Sequence, residues 1–151
     1  MLPRIQSMIL AEKVYQDVLT RQYVIAGTFN SVKLRKAQPA NESATGQRMV
    51  AVKDVRRAGN PWLFLSITEL QSEVQFTIRI VYLVDNSVIC ETSFPLSSQD
   101  RLATVEVSVP LPSFSFRGPG HYAVEVFAAD EMIGSYRVSA TQDDSDVSID
   151  E

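Results

Sequence analysis

The chain has 151 residues, 45% of them apolar and 21% charged, with a net charge of −4 and a single cysteine. That size and balance fit one globular domain with a core of its own and exclude wholesale disorder, and a lone cysteine excludes an intrachain disulfide as its staple. No apolar run approaches the ~20 residues that a membrane-spanning helix needs, and the N-terminal run is broken by Glu12 and Lys13 before it could form a secretory h-region; a reducing, cytoplasmic setting without a membrane partner is expected.

At the N-terminus, Ile5, Met8, Ile9, Tyr15 and Leu19 fit the stripe of an amphipathic helix. Tyr23 to Val32 (YVIAGTFNSV) reads as a strand. Residues 33–60, rich in Ala, Asn, Thr, Gly and charge, read as a long basic excursion with one short element at Met49 to Val55; a loop of that length is functional, mobile or misread. Pro61 to Glu69 is a strand apolar on both faces, with Trp62, Leu63 and Phe64 as core residues between two sheets.

The strongest periodicity follows. Val74, Phe76, Ile78, Ile80 and Tyr82 occupy one face of a period-two pattern, Asp85-Asn-Ser supplies turn chemistry, and Val88, Cys90, Phe94 and Leu96 line one side of the return strand. Ala103 to Leu111 then directs Val105, Val107, Val109 and Leu111 inward and stops at Pro110 and Pro112. His121 to Ala128 alternates again with Tyr122, Val124, Val126 and Ala128 inside. Met132 to Ser139 closes the series, with Gly134 marking a bulge. Residues 141–151, with Asp143, Asp144, Asp146, Asp150 and Glu151, read as a solvated acidic tail without the glycine and glutamate spacing of a calcium loop. The fold expected from this series is all-β: one antiparallel, immunoglobulin-like β-sandwich of about seven to eight strands spanning residues 1–140.

Few residues point to chemistry. His121 is the only histidine and stands in Gly118-Pro-Gly-His-Tyr122; zinc needs three or four ligands, and a catalytic histidine needs an orienting carboxylate and a nucleophile. One histidine and one cysteine make neither, so no catalytic residue, metal or cofactor is expected, and no glycine pattern for a nucleotide is present. The bend carries a structural reading instead: Gly118 and Gly120 turn the chain, and Tyr122 opens the strand where a sandwich tyrosine returns its hydroxyl to the backbone a few residues upstream. Charge is uneven, about +6 over residues 1–60 and −10 over the rest. Lys33, Arg35, Lys36, Arg48, Lys53, Arg56 and Arg57 concentrate the positive charge as a candidate partner-binding set, but no aromatic residue is interleaved for base stacking.

The stretches MILAEKVYQDVLTRQYVIAGTFNSV and LPSFSFRGPGHYAVEVFAADEMIGSYRVSA resemble a bacterial domain-of-unknown-function family of small β-sandwich proteins. The resemblance covers residues 8–140 and implies a strand, not a helix, at Met8 to Tyr15; it brings no functional residues with it. Function is then expected to be that of a non-enzymatic interaction or scaffolding module, self-associating or binding a protein partner through a sheet edge. The alternative is binding of nucleic acid or an acidic partner through residues 33–57, and last comes a hydrolase using His121.

Overall fold

A computed structural model describes residues 2–36, 49–51, 60–111 and 116–142, of which residues 35–36 and 49–51 are described in backbone only. Ten strands form among them and no helix: β1 (Arg4–Gln16), β2 (Tyr23–Thr28), β3 (Ser31–Lys36), β4 (Met49–Ala51), β5 (Trp62–Thr68), β6 (Ser72–Tyr82), β7 (Ser87–Ser98), β8 (Val105–Pro110), β9 (Gly120–Ala128) and β10 (Glu131–Gln142). The first sheet runs β2-β1-β5-β8 and the second β4-β3-β10-β9-β6-β7. All pairs are antiparallel except β3 with β10.

The core lies between the sheets because the alternating residues of each strand deliver one apolar row. Leu10, Leu63, Leu65, Ile67 and Val109 come from the first sheet; Val32, Leu34, Phe76, Ile78, Ile80, Tyr122, Val124, Val126, Val138 and Ala140 come from the second.

The N-terminal helical stripe is overturned, since residues 4–16 are a strand. Its spacing misled because β1 buries residues on both faces: Leu10 faces the main core, while Ile9, Ala11 and Val14 join a second cluster with Phe64, Trp62, Tyr23 and Ile25. That second cluster exists because β1 bends. Ile9 pairs with Phe64 and Gln16 with Tyr23; seven residues of straight strand would hold those pairs ~23 Å apart, yet the Tyr23 and Phe64 rings are 5.3 Å apart. The hairpin of late β1 and β2 is therefore an arm folded back over the outer face of the first sheet. Trp62 and Phe64, expected between the sheets, lie under this arm instead, and only Leu63 of the three enters the main core.

Tyr23 to Val32 is not one strand but two, on different sheets. At the crossover, the Phe29 N–H donates to Leu10 O at 3.2 Å, Tyr136 Oη donates to Phe29 O at 2.7 Å, and the Ser139 N–H donates to Asn30 O at 2.9 Å. The chain thus leaves one layer held to both. β3 then continues through Lys36, so the first part of the expected excursion is sheet, and β4 pairs with it at Leu34↔Ala51, Arg35↔Val50 and Lys36↔Met49. Residues 37–48 and 52–59 of the excursion lie outside the described residues, as does the acidic segment 143–151.

Register shifts adjust the pattern at three places, the first on β1 between Ile5 and Ser7. On β10 the register shifts between Met132 and Gly134. On β7 Ile80 pairs with Cys90 but Val81 with Val88, leaving Ile89 as the extra residue. The phase changes there, so Ile89 packs on the core and Val88, expected inside, is exposed.

Candidate functional site

The bend before β9 is a closed set of backbone hydrogen bonds around one side chain. Tyr122, 1% exposed, accepts from the Arg117 and Gly118 N–H groups at 3.1 Å each and donates its hydroxyl proton to Gly118 O. Its ring lies between Phe116 and Tyr82, with centroids at 5.0 and 4.7 Å, and Tyr82 donates in turn to Pro119 O at 2.8 Å. Gly120 has a φ of 137°, and a Cβ there would stand 2.7 Å from Val84 Cγ2. Burial pushes the Tyr122 hydroxyl above the usual tyrosine range, so it is a neutral donor throughout the physiological range. These residues hold a corner; the hydroxyl's hydrogen bonds are all spent on the backbone.

His121 points the other way. It is exposed on the outer face of β9, opposite Ser139, and its carbonyl accepts from the Leu83 N–H at 2.9 Å. Among the described residues, no group of three or more His, Cys, Asp or Glu side chains could hold a metal ion. His121→Ala is expected to shift stability by less than about 0.5 kcal/mol, as for other exposed positions; thermal melting checks this.

Of the seven basic residues, Lys33 is exposed on β3 between the buried Val32 and Leu34, and Arg35 and Lys36 follow it in the same strand. Arg48, Lys53, Arg56 and Arg57 lie outside the described residues. Three of the set therefore share one strand, which lies between β4 and β10.

Two further surfaces stand out. The first is β7, which pairs with β6 over its length and has no neighbour on its other side among the described residues. Gln75 accepts from the Ala129 N–H through its carbonyl, so its backbone faces β9. In an antiparallel ladder the residue opposite it, Pro95, then faces away from β6, and so do Ser93 and Glu91, two and four positions before it. Proline is tolerated there because no donor is needed on the β6 side.

The second surface is the tip of the arm. Asp17 closes this turn, its Oδ1 accepting from the Leu19 and Thr20 N–H groups at 2.8 and 3.0 Å, which holds its carboxyl below the usual range. The turn presents Val18 and Leu19, 91% and 93% exposed, with Tyr15 half exposed behind them. Sequence reasoning missed this tip: Leu19 was assigned to an apolar stripe, and only the Asp17-x-x-Thr20 spacing signals the turn.

No family model matches the chain, and a comparison with curated proteins finds no relative. No helix among the described residues is long and apolar enough to cross a membrane.

Proposed function

We propose that this protein is a non-enzymatic interaction and scaffolding module on an immunoglobulin-like sandwich, which self-associates by pairing the open edge of β7 with that of a second copy. The immunoglobulin-like reading draws support from strand order: β1-β5-β8 stack against β10-β9-β6, the relation of the A-B-E and G-F-C layers, with β7 beside β6 and β2 to β4 as additions. The bacterial β-sandwich family resembled by the sequence is proposed on the same footing.

The observation that carries the functional reading is the direction of the β7 backbone. Glu91 and Ser93 turn both N–H and C=O outward, Pro95 turns out a carbonyl alone, and the strand's only charged side chain is Glu91. Such a row is a template for one more strand. Ser93→Pro removes an outward donor two residues from an existing proline that the ladder already accommodates. Wild type is expected to show a concentration-dependent dimer in sedimentation equilibrium, and Ser93→Pro to stay monomeric at the same concentrations, with a melting temperature near that of wild type at dilutions where both are monomers. A wild-type chain that is monomeric up to millimolar concentration would end this reading.

A further inference from the structure

We infer that the acidic segment 143–151 extends β10 along β3 and covers the basic row of Lys33, Arg35 and Lys36, taking within its own chain a surface that an anionic partner would otherwise bind. This contact is independent of the β7 edge.

The backbone selects this segment. The Ser139 N–H donates to Asn30 O at 2.9 Å, so by the two-residue alternation of a strand Val32, Leu34 and Lys36 turn their backbone groups toward β10, and Lys33 and Arg35 turn theirs toward β4. Thr141 then takes Val32 O and the Leu34 N–H. Beyond it, Leu34 O and the Lys36 N–H continue the same line, whereas the described part of β10 stops at Gln142, whose own groups face the other way by the same alternation. Leu34 is 0% exposed, and a carbonyl so deeply buried requires a donor. The next N–H on the path of β10 that turns toward β3 belongs to Asp143. In that place it donates to Leu34 O while the Asp143 carbonyl accepts from the Lys36 N–H, which repeats the bonding of Thr141.

The register matches charge as well. Ser139 to Gln142 pair in order with Ser31 to Leu34, so the next two pairs are Asp143 with Arg35 and Asp144 with Lys36. Lys33 is exposed and makes no ion pair among the described residues. The strands on either side offer the row no acid in register, since β10 supplies Ser139 to Gln142 and β4 supplies Met49 to Ala51. Arg137, exposed two positions before Ser139, adds a further positive charge. Against these bases the segment carries Asp143, Asp144, Asp146, Asp150 and Glu151 and no base. Cross-strand pairs of opposite charge stabilise a ladder and like pairs oppose it, and direct attachment at Gln142 keeps the local concentration of acid high. A free anion must displace the segment to reach β3. Residues 143–151 are thus a built-in competitor for any anionic ligand of that strand.

Amide hydrogen exchange on the full chain tests the contact. The amide at position 36 is expected to have a protection factor of about ten or more, and the amide at position 35, which faces β4, serves as internal reference. Asp143→Lys with Asp144→Lys is expected to lower protection at position 36 about tenfold and to leave position 35 unchanged. Adding Arg35→Glu and Lys36→Glu to that variant restores it. Heparin is the probe for shielding: Asp143→Asn, Asp144→Asn and Asp146→Asn together are expected to bind it several-fold more tightly than wild type at low salt. A control with the same change in net charge at exposed positions elsewhere, Glu73→Gln with Asp130→Asn and Glu131→Gln, is expected to stay near wild type. An unprotected position 36 in wild type, protection that survives the charge reversal, a reversal that the swap does not rescue, or equal heparin affinity in the neutralised and control variants overturns the inference. The Ser93→Pro sedimentation result bears on the β7 edge alone.

Discussion

Leu34→Ala is expected to destabilise the protein by about 2–5 kcal/mol, the cost of truncating a fully buried leucine. Leu34 is 0% exposed and belongs to the main core, although it stands second in a stretch whose composition reads as loop. Its burial follows from β3 lying parallel to the end of β10, where Val32 pairs with Ala140 and Leu34 with Gln142. The alternation that places Val32 and Leu34 inside leaves Lys33 outside, so Lys33→Ala serves as the matched control, expected within about 0.5 kcal/mol. Denaturant unfolding of both variants decides the matter. A loss below about 0.5 kcal/mol for Leu34→Ala would mean that β3 is not part of the cooperative unit.

The contrast with the sequence is instructive at this strand. Val74 to Tyr82 and His121 to Ala128 were legible because each has one buried and one wetter face, and period two then reports the face directly. β3 was hidden by its length: six residues alternate Val32 and Leu34 with charge, and three bases in four positions look like a solvated run. β1 was hidden for the opposite reason, since its bend buries both faces and the doubled apolarity imitates a helical stripe. The Val88 error came from a bulge, which no period-two reading can locate without the partner strand. Of the candidate sites, the Gly118-Pro-Gly-His-Tyr122 bend was readable because turn residues and a tyrosine are local signals. The β7 edge and the arm tip were not, because a strand becomes an edge, and an apolar turn becomes exposed, only through the packing of everything else.

Tyr122→Phe is expected to cost about 1–3 kcal/mol, the price of leaving buried backbone groups without partners. The ring contacts with Phe116 and Tyr82 survive the substitution, so the loss isolates the hydroxyl. That hydroxyl serves three backbone groups: two N–H donors, on Arg117 and Gly118, and the Gly118 carbonyl. Phenylalanine leaves all three without that partner, and two of them belong to the buried Gly118. A pH series gives a second readout. Burial raises the folded-state pKa of Tyr122 above that of the unfolded chain, so its contribution is fully present below about pH 10 and is lost as pH rises through the folded value. Denaturant midpoints of wild type and Tyr122→Phe should therefore differ by a constant amount from neutral pH to about pH 9 and converge above pH 10. Equal midpoints at neutral pH would show that the bend is held by the glycines and the aromatic packing alone; a gap that persists undiminished into strong base would show that burial does not hold the hydroxyl's folded-state pKa above its unfolded value.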